Sequence, residues 1–162
     1  MNLFDKLVLL LTGLTSIYLT YRFYQEFKSK TPAPKQNIHY MTSFVVLLVA
    51  GLLLIFLGWD ILGTPQVTIV TTFLPMLIAT GLVCEFHSKY VKPYLIVAVT
   101  GFLLISLSRL GIIGGSKIFL PIFHSIFGLT IFFVPILAVR EKLAPSGFIF
   151  VTVGGTLIGL GG

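Results

Sequence analysis

Residues 40–60 read YMTSFVVLLVAGLLLIFLGWD, and this stretch decides the fold class. From Phe44 to Leu57 there is no charged side chain and no strand-like alternation of polar and apolar residues. A bilayer core of about 30 Å needs about 20 mostly apolar helical residues, and residues 40–60 supply them. Five further stretches resemble it: about 3–23, 66–84, 91–112, 118–139 and 145–162. All are continuously apolar, without the ten-residue alternation of a membrane β-barrel. The expectation is an all-α, polytopic transmembrane bundle of six spans forming one domain over 1–162, with the last span short.

Composition agrees. Hydrophobic residues make up 56% of the 162 and charged residues 10%, with mean hydropathy +1.04. A water-facing surface needs about 25% charged residues, so a soluble globular enzyme is excluded. The formal charge of +6 comes from 11 basic residues. They sit in short gaps between apolar runs, whereas a nucleic-acid binder gathers them on one polar face. The expected surroundings are therefore a lipid bilayer and neighbouring membrane subunits, with no nucleic acid.

The gaps carry turn chemistry. Residues 28–37 read KSKTPAPKQN, residues 60–66 read DILGTPQ, and Gly111, Gly114 and Gly115 precede Lys117. With the N-terminus outside, one side collects Arg22, Lys28, Lys30, Lys35, Lys89, Lys92, Arg140 and Lys142, and the other only Lys6, Arg109 and Lys117. The positive-inside rule then predicts an external N-terminus and a cytoplasmic 24–39 loop, in a bacterial plasma membrane. The tyrosines at 18, 21, 24, 40, 90 and 94 fall near the basic side and Trp59 near the other, as amphipathic rings at interfaces do. The positive flank follows the first apolar run and no clear cleavage site succeeds it, so that run reads as a retained helix. The glycine-rich final stretch has no polar flank, which suggests a natural chain continuing past Gly162. Helix three has Pro75 mid-span and helix six has no matching proline, so no inverted repeat is expected.

Ionisable groups inside a membrane are functional candidates by default. His124 is the clearest, about six residues into the fifth span, with Gly128 one turn further along. An imidazole beside a glycine can ligate the metal of a flat ring, a haem or a chlorophyll-type pigment, or contact a quinone. A six-coordinate haem needs a second ligand, for which Met76 lies at a usable depth. The simplest reading has no cofactor, with His124 hydrogen-bonded inside the bundle or to a neighbouring subunit. Arg109 and Asp60, at the ends of spans four and two, are expected to pair or to form a polar rim with His124; the plainer alternative is Arg109 reaching to the headgroups and Asp60 capping a turn.

His39, Glu85 and His87 lie at span ends on the basic side and form a weak metal candidate, since no paired helical spacing fixes them. Cys84 is the single cysteine and reads as a small buried hydrophobe. Thr68, Thr72, Met76 and Thr80 recur every fourth residue, a helix-contact face or the lining of a path. Gly155 and Gly159 form a GxxxG pattern that lets backbones approach. Phosphate-loop, HExxH and serine-hydrolase signatures are absent from the sequence, and no catalytic set emerges.

The resulting expectation is a small integral subunit of a larger energy-converting or electron-transfer complex. A small-solute or ion transporter acting as a homo-oligomer is the second reading. A membrane assembly or scaffold factor is the third.

Overall fold

A computed structural model describes residues 1–161, with side chains described as far as Leu157. Six helices follow one another: α1 (Leu3–Ser29), α2 (Gln36–Leu57), α3 (Pro65–Phe86), α4 (Val91–Arg109), α5 (Ser116–Arg140) and α6 (Ile149–Gly161). Short 3-10 turns at Trp59–Gly63, Ser88–Tyr90 and Ser146–Phe148 lie in the connections. Five helical segments are long and apolar enough to cross a bilayer, which supports a multi-pass membrane protein. Over its 13 described residues α6 rises about 20 Å.

The helix boundaries follow local chemistry. Asn2 caps α1: its side chain accepts from the Asp5 amide at 2.8 Å while the Asp5 carboxylate accepts from the Asn2 amide at 3.0 Å. At its other end α1 runs six residues beyond the apolar run, to Ser29. The expected loop of 24–39 shrinks accordingly, because residues 24–29 and 36–39 are helical. The extension is held by contacts one turn apart: Arg22 to Tyr18, Gln25 to Tyr21, and the Glu26–Lys30 ion pair. Hydropathy does not register such pairs. Pro65 opens α3 at its first turn, where the missing N–H is harmless. Gly115 enters α5 at φ +98°, a conformation that side-chain-bearing residues rarely adopt.

The helices form an open row with α3 near its centre. Helix α3 packs on α2, α4 and α5, and α4 also meets α5. Helix α1 packs on α2 and α6 on α5. In hydrocarbon, burying apolar surface drives association weakly, so close packing and interhelical hydrogen bonds must hold the row. One cluster joins Met76, Ala79, Ala98 and Phe127, with Phe73, Phe102 and Phe123 around it. Gly101 makes this contact possible, because a Cβ there would overlap the Phe123 ring. A second cluster joins Tyr40, Leu82 and Val134. There Gly81 admits the Tyr40 ring, whose Cε1 would lie 2.5 Å from an added Cβ.

Hydroxyls tie neighbouring helices. Ser43 donates to the Leu74 carbonyl at 2.8 Å, one residue before Pro75. Thr152 donates to the Phe132 carbonyl at 2.8 Å, fixing α6 on α5. Beside it Gly155 meets Ile131, so the first glycine of the GxxxG pattern packs inside this chain. Gly159 lies outside the described side chains.

Candidate functional site

His124 lies on α5 about 12 Å along the axis from Ser116, deeper than counted from the apolar run alone. Its side chain is exposed, on a face not covered by α3, α4 or α6. Pro121, Ser125 and Gly128 are exposed beside it. Nothing lies within 4 Å of where a Gly128 Cβ would be. The result is an imidazole with an open, flat floor one turn away on the outside of the helix row. Phe127, three residues on and about 60° around the helix, is fully buried in the core.

This placement corrects one expectation. Met76 is 7% exposed and packed against Ala79, Ala98 and Phe127. It belongs to the interior, whereas His124 is exposed.

The expected Arg109–Asp60 pair is also corrected. Arg109, half-buried at the end of α4, turns sideways onto α3, and its Nη2 donates to the Thr68 hydroxyl at 2.8 Å. Thr68 in turn donates to the Thr64 carbonyl at 3.1 Å. The Arg109 Nε is buried and has no acceptor among the described residues. Asp60 is exposed in the Trp59–Gly63 turn. The Lys30–Glu26 contact is the only ion pair among the described residues. Arg109 therefore braces two helices, and no Arg109–Asp60 ion pair forms among the described residues.

At the other end of the row, α1, α2 and α3 bring polar groups together. Tyr40, itself buried, donates to the Glu85 carboxylate at 2.7 Å. The Asn37 amide, 2% exposed, donates to the Phe23 carbonyl at 3.1 Å and to the Glu26 carboxylate at 3.2 Å. The rings of Phe23 and Tyr40 lie 5.0 Å apart. His87 is half-buried, with its Nε2 buried and without a partner among the described residues. The metal candidate His39, Glu85 and His87 is not realised: no group of three His, Cys, Asp or Glu side chains gathers for a metal among the described residues. Glu85 is engaged by Tyr40 instead.

Asn37, Tyr40 and Ser43 are buried on α2, a contact face that hydropathy alone does not mark. Their spacing of three was the available signal, since it places three polar groups along one side at the start of an apolar helix. The threonine stripe is a packed contact face: Thr68, Thr72, Met76 and Thr80 are all buried. Thr72 and Thr80 donate to the carbonyls of Thr68 and Met76, one turn back. Cys84 is a free, half-buried thiol.

Comparison with family models, with curated proteins and with solved structures finds no match to this chain.

Proposed function

We propose that this protein is a small integral membrane subunit of a larger membrane complex, of the energy-converting or electron-transfer kind. The observation that carries the reading is the outward position of His124 beside Gly128. A polar ring held in hydrocarbon is costly unless it is satisfied. On an exposed helix face the satisfying group has to come from outside this chain. A neighbouring subunit, a quinone carbonyl or the metal of a planar pigment would each suit one imidazole with a flat floor. The open row of helices supports the same reading, since it leaves α1, α4 and α6 with long flanks available to neighbours.

The orientation that fits the basic residues has the N-terminus outside and the Arg22–Lys35 region in the cytoplasm, in a bacterial plasma membrane. The transporter reading draws less support. Its suggested path was the threonine stripe, and that stripe is closed by packing and by its own backbone hydrogen bonds.

Purification in mild detergent, with mass spectrometry of co-purifying subunits and an absorption spectrum, tests the proposal. The expected result is a set of stoichiometric membrane partners that is lost or loosened in His124→Leu. A homogeneous free species, identical for wild type and His124→Leu, refutes it. A Soret or chlorophyll-type band that disappears in His124→Leu would identify the ligand as a ring metal.

A further inference from the structure

Two adjoining cavities run along the junction of α1 and α2, and a third, lined by α1 alone, adjoins them over its polar end. The first, about 190 Å³, lies between Leu10, Gly13, Leu14, Leu48 and Leu52. The second, about 420 Å³, shares Ile17 and Leu48 with it and continues past Val45 to Tyr21 and Tyr24. The third, about 950 Å³, shares those two tyrosines and opens among Arg22, Gln25 and Lys28. Gly13 keeps the apolar end deep: it is buried, and a Cβ there would stand 3.3 Å from Leu48. From Leu10 to Tyr24 the groove follows about 21 Å of helix, more than the roughly 15 Å of one leaflet's hydrocarbon.

The groove thus changes character once along its length, from aliphatic through a tyrosine collar to a basic mouth. The charges at the mouth are unequal in availability. Glu26 is engaged by Lys30 and by the Asn37 amide. Arg22 and Lys28 are exposed, and neither has a carboxylate partner among the described residues. Arg22 rests over the Tyr18 ring, with its Nη1 3.4 Å from the Tyr18 hydroxyl. That contact steadies the guanidinium without neutralising it.

We propose that this groove is a binding site for one anionic phospholipid, with an acyl chain along Leu14, Ile17, Val45 and Leu48 and its phosphate at Arg22 and Lys28. The occupant is set by the match of polarity along the groove. A neutral lipid would leave two cations without a counter-charge, and a packed apolar helix would leave them beside hydrocarbon. Basic side chains at a membrane surface favour anionic headgroups by this same attraction. The site lies on α1 and α2, away from His124, and does not depend on membership of a complex.

The test uses the full chain in mild detergent, titrated with dioleoylphosphatidylglycerol and with dioleoylphosphatidylcholine and read by native mass spectrometry. The wild type is expected to retain one phosphatidylglycerol about tenfold or more in preference to phosphatidylcholine, since two cations face the headgroup. R22Q/K28Q is expected to abolish the preference while still binding phosphatidylcholine. V45W, which fills the apolar part, is expected to lower retention of both lipids. If V45W fails to fold by circular dichroism, L14W fills the neighbouring part of the same groove. Equal retention of the two lipids by wild type overturns the proposal. So does a preference that survives R22Q/K28Q, or retention unchanged by a folded groove-filling variant. A quinone or a protein helix found in the groove by crosslinking overturns it as well.

Discussion

The guanidinium of Arg109 donates from Nη2 to the hydroxyl of Thr68 at 2.8 Å, joining the end of α4 to the first turn of α3. An arginine at a helix end in a membrane ordinarily extends to water. Here it turns inward, and its Nε is buried without an acceptor. The bond to Thr68 therefore offsets part of the cost of burying a charged group. Thr68→Val keeps the shape and removes the acceptor. It is expected to destabilise by about 1–2 kcal/mol, between the values for interhelical bonds in membranes and for bonds to charged groups in water. Thr68→Ser should recover most of the loss. Thermal unfolding in detergent reads both. Equal stability of wild type and Thr68→Val would mean that Arg109 is held by something other than Thr68.

Two glycines separate packing inside the chain from contact outside it. At Gly101 a Cβ would overlap the Phe123 ring, whereas at Gly128 it would meet nothing within 4 Å. Gly101→Ala is expected to cost about 1–3 kcal/mol as an overpacked contact between α4 and α5. Gly128→Leu is expected to leave the unfolding temperature of the purified chain unchanged. If the α5 face meets a partner, Gly128→Leu should also reduce co-purification of that partner. A large loss of stability in Gly128→Leu would show that the glycine is covered by this chain itself.

The centres of the spans were legible because a run such as Phe44–Leu57 has no soluble alternative. The ends were not. Residues Arg22 to Ser29 are polar enough to resemble a loop, yet Gln25–Tyr21 and Glu26–Lys30 contacts carry the helix through them. The depth of His124 along α5 was readable only to within about a half turn, since the helix begins at Ser116, before the apolar run. Its direction was not, because α5 is apolar on every side and only the packing of α3, α4 and α6 decides which face is left open. The same limit produced the Met76 pairing: depth is a one-dimensional quantity, and a ligand pair also needs a shared direction. The Arg109–Asp60 expectation failed for a related reason, since two groups at one depth on α4 and near α2 are separated by α3, whose Thr68 lies nearer.

Tyr40 and Gly81 form one local unit. The ring of Tyr40 fills the space that a Gly81 side chain would occupy, and its hydroxyl reaches Glu85 at 2.7 Å. Gly81→Ala is expected to displace the ring and break the bond to Glu85, with a loss of about 1–3 kcal/mol. Tyr40→Phe removes only the hydroxyl and should cost less, about 1 kcal/mol. In the Tyr40→Phe background the further cost of Gly81→Ala should be the steric part alone. Additive losses across the two changes would show that ring position and hydrogen bond are independent.

Asn37 gives the sharpest contrast at the α1–α2 junction. Its amide is 2% exposed and serves two acceptors on α1, the Phe23 carbonyl and the Glu26 carboxylate. An amide nitrogen has two hydrogens, and both are used. Asn37→Leu leaves the Glu26 oxygen without that donor and is expected to destabilise by about 1–3 kcal/mol. Asn37→Asp should be worse at neutral pH, because it removes the donor and places a second acceptor against Glu26. Combining Asn37→Asp with Glu26→Gln restores a donor–acceptor pair in reversed order, so the double variant should be more stable than Asn37→Asp alone. Unfolding in detergent at fixed lipid content measures the three. If Glu26→Gln gives no recovery, the Glu26 oxygen is not the group that Asn37 serves, and the α1–α2 junction rests on the Phe23 carbonyl and packing instead.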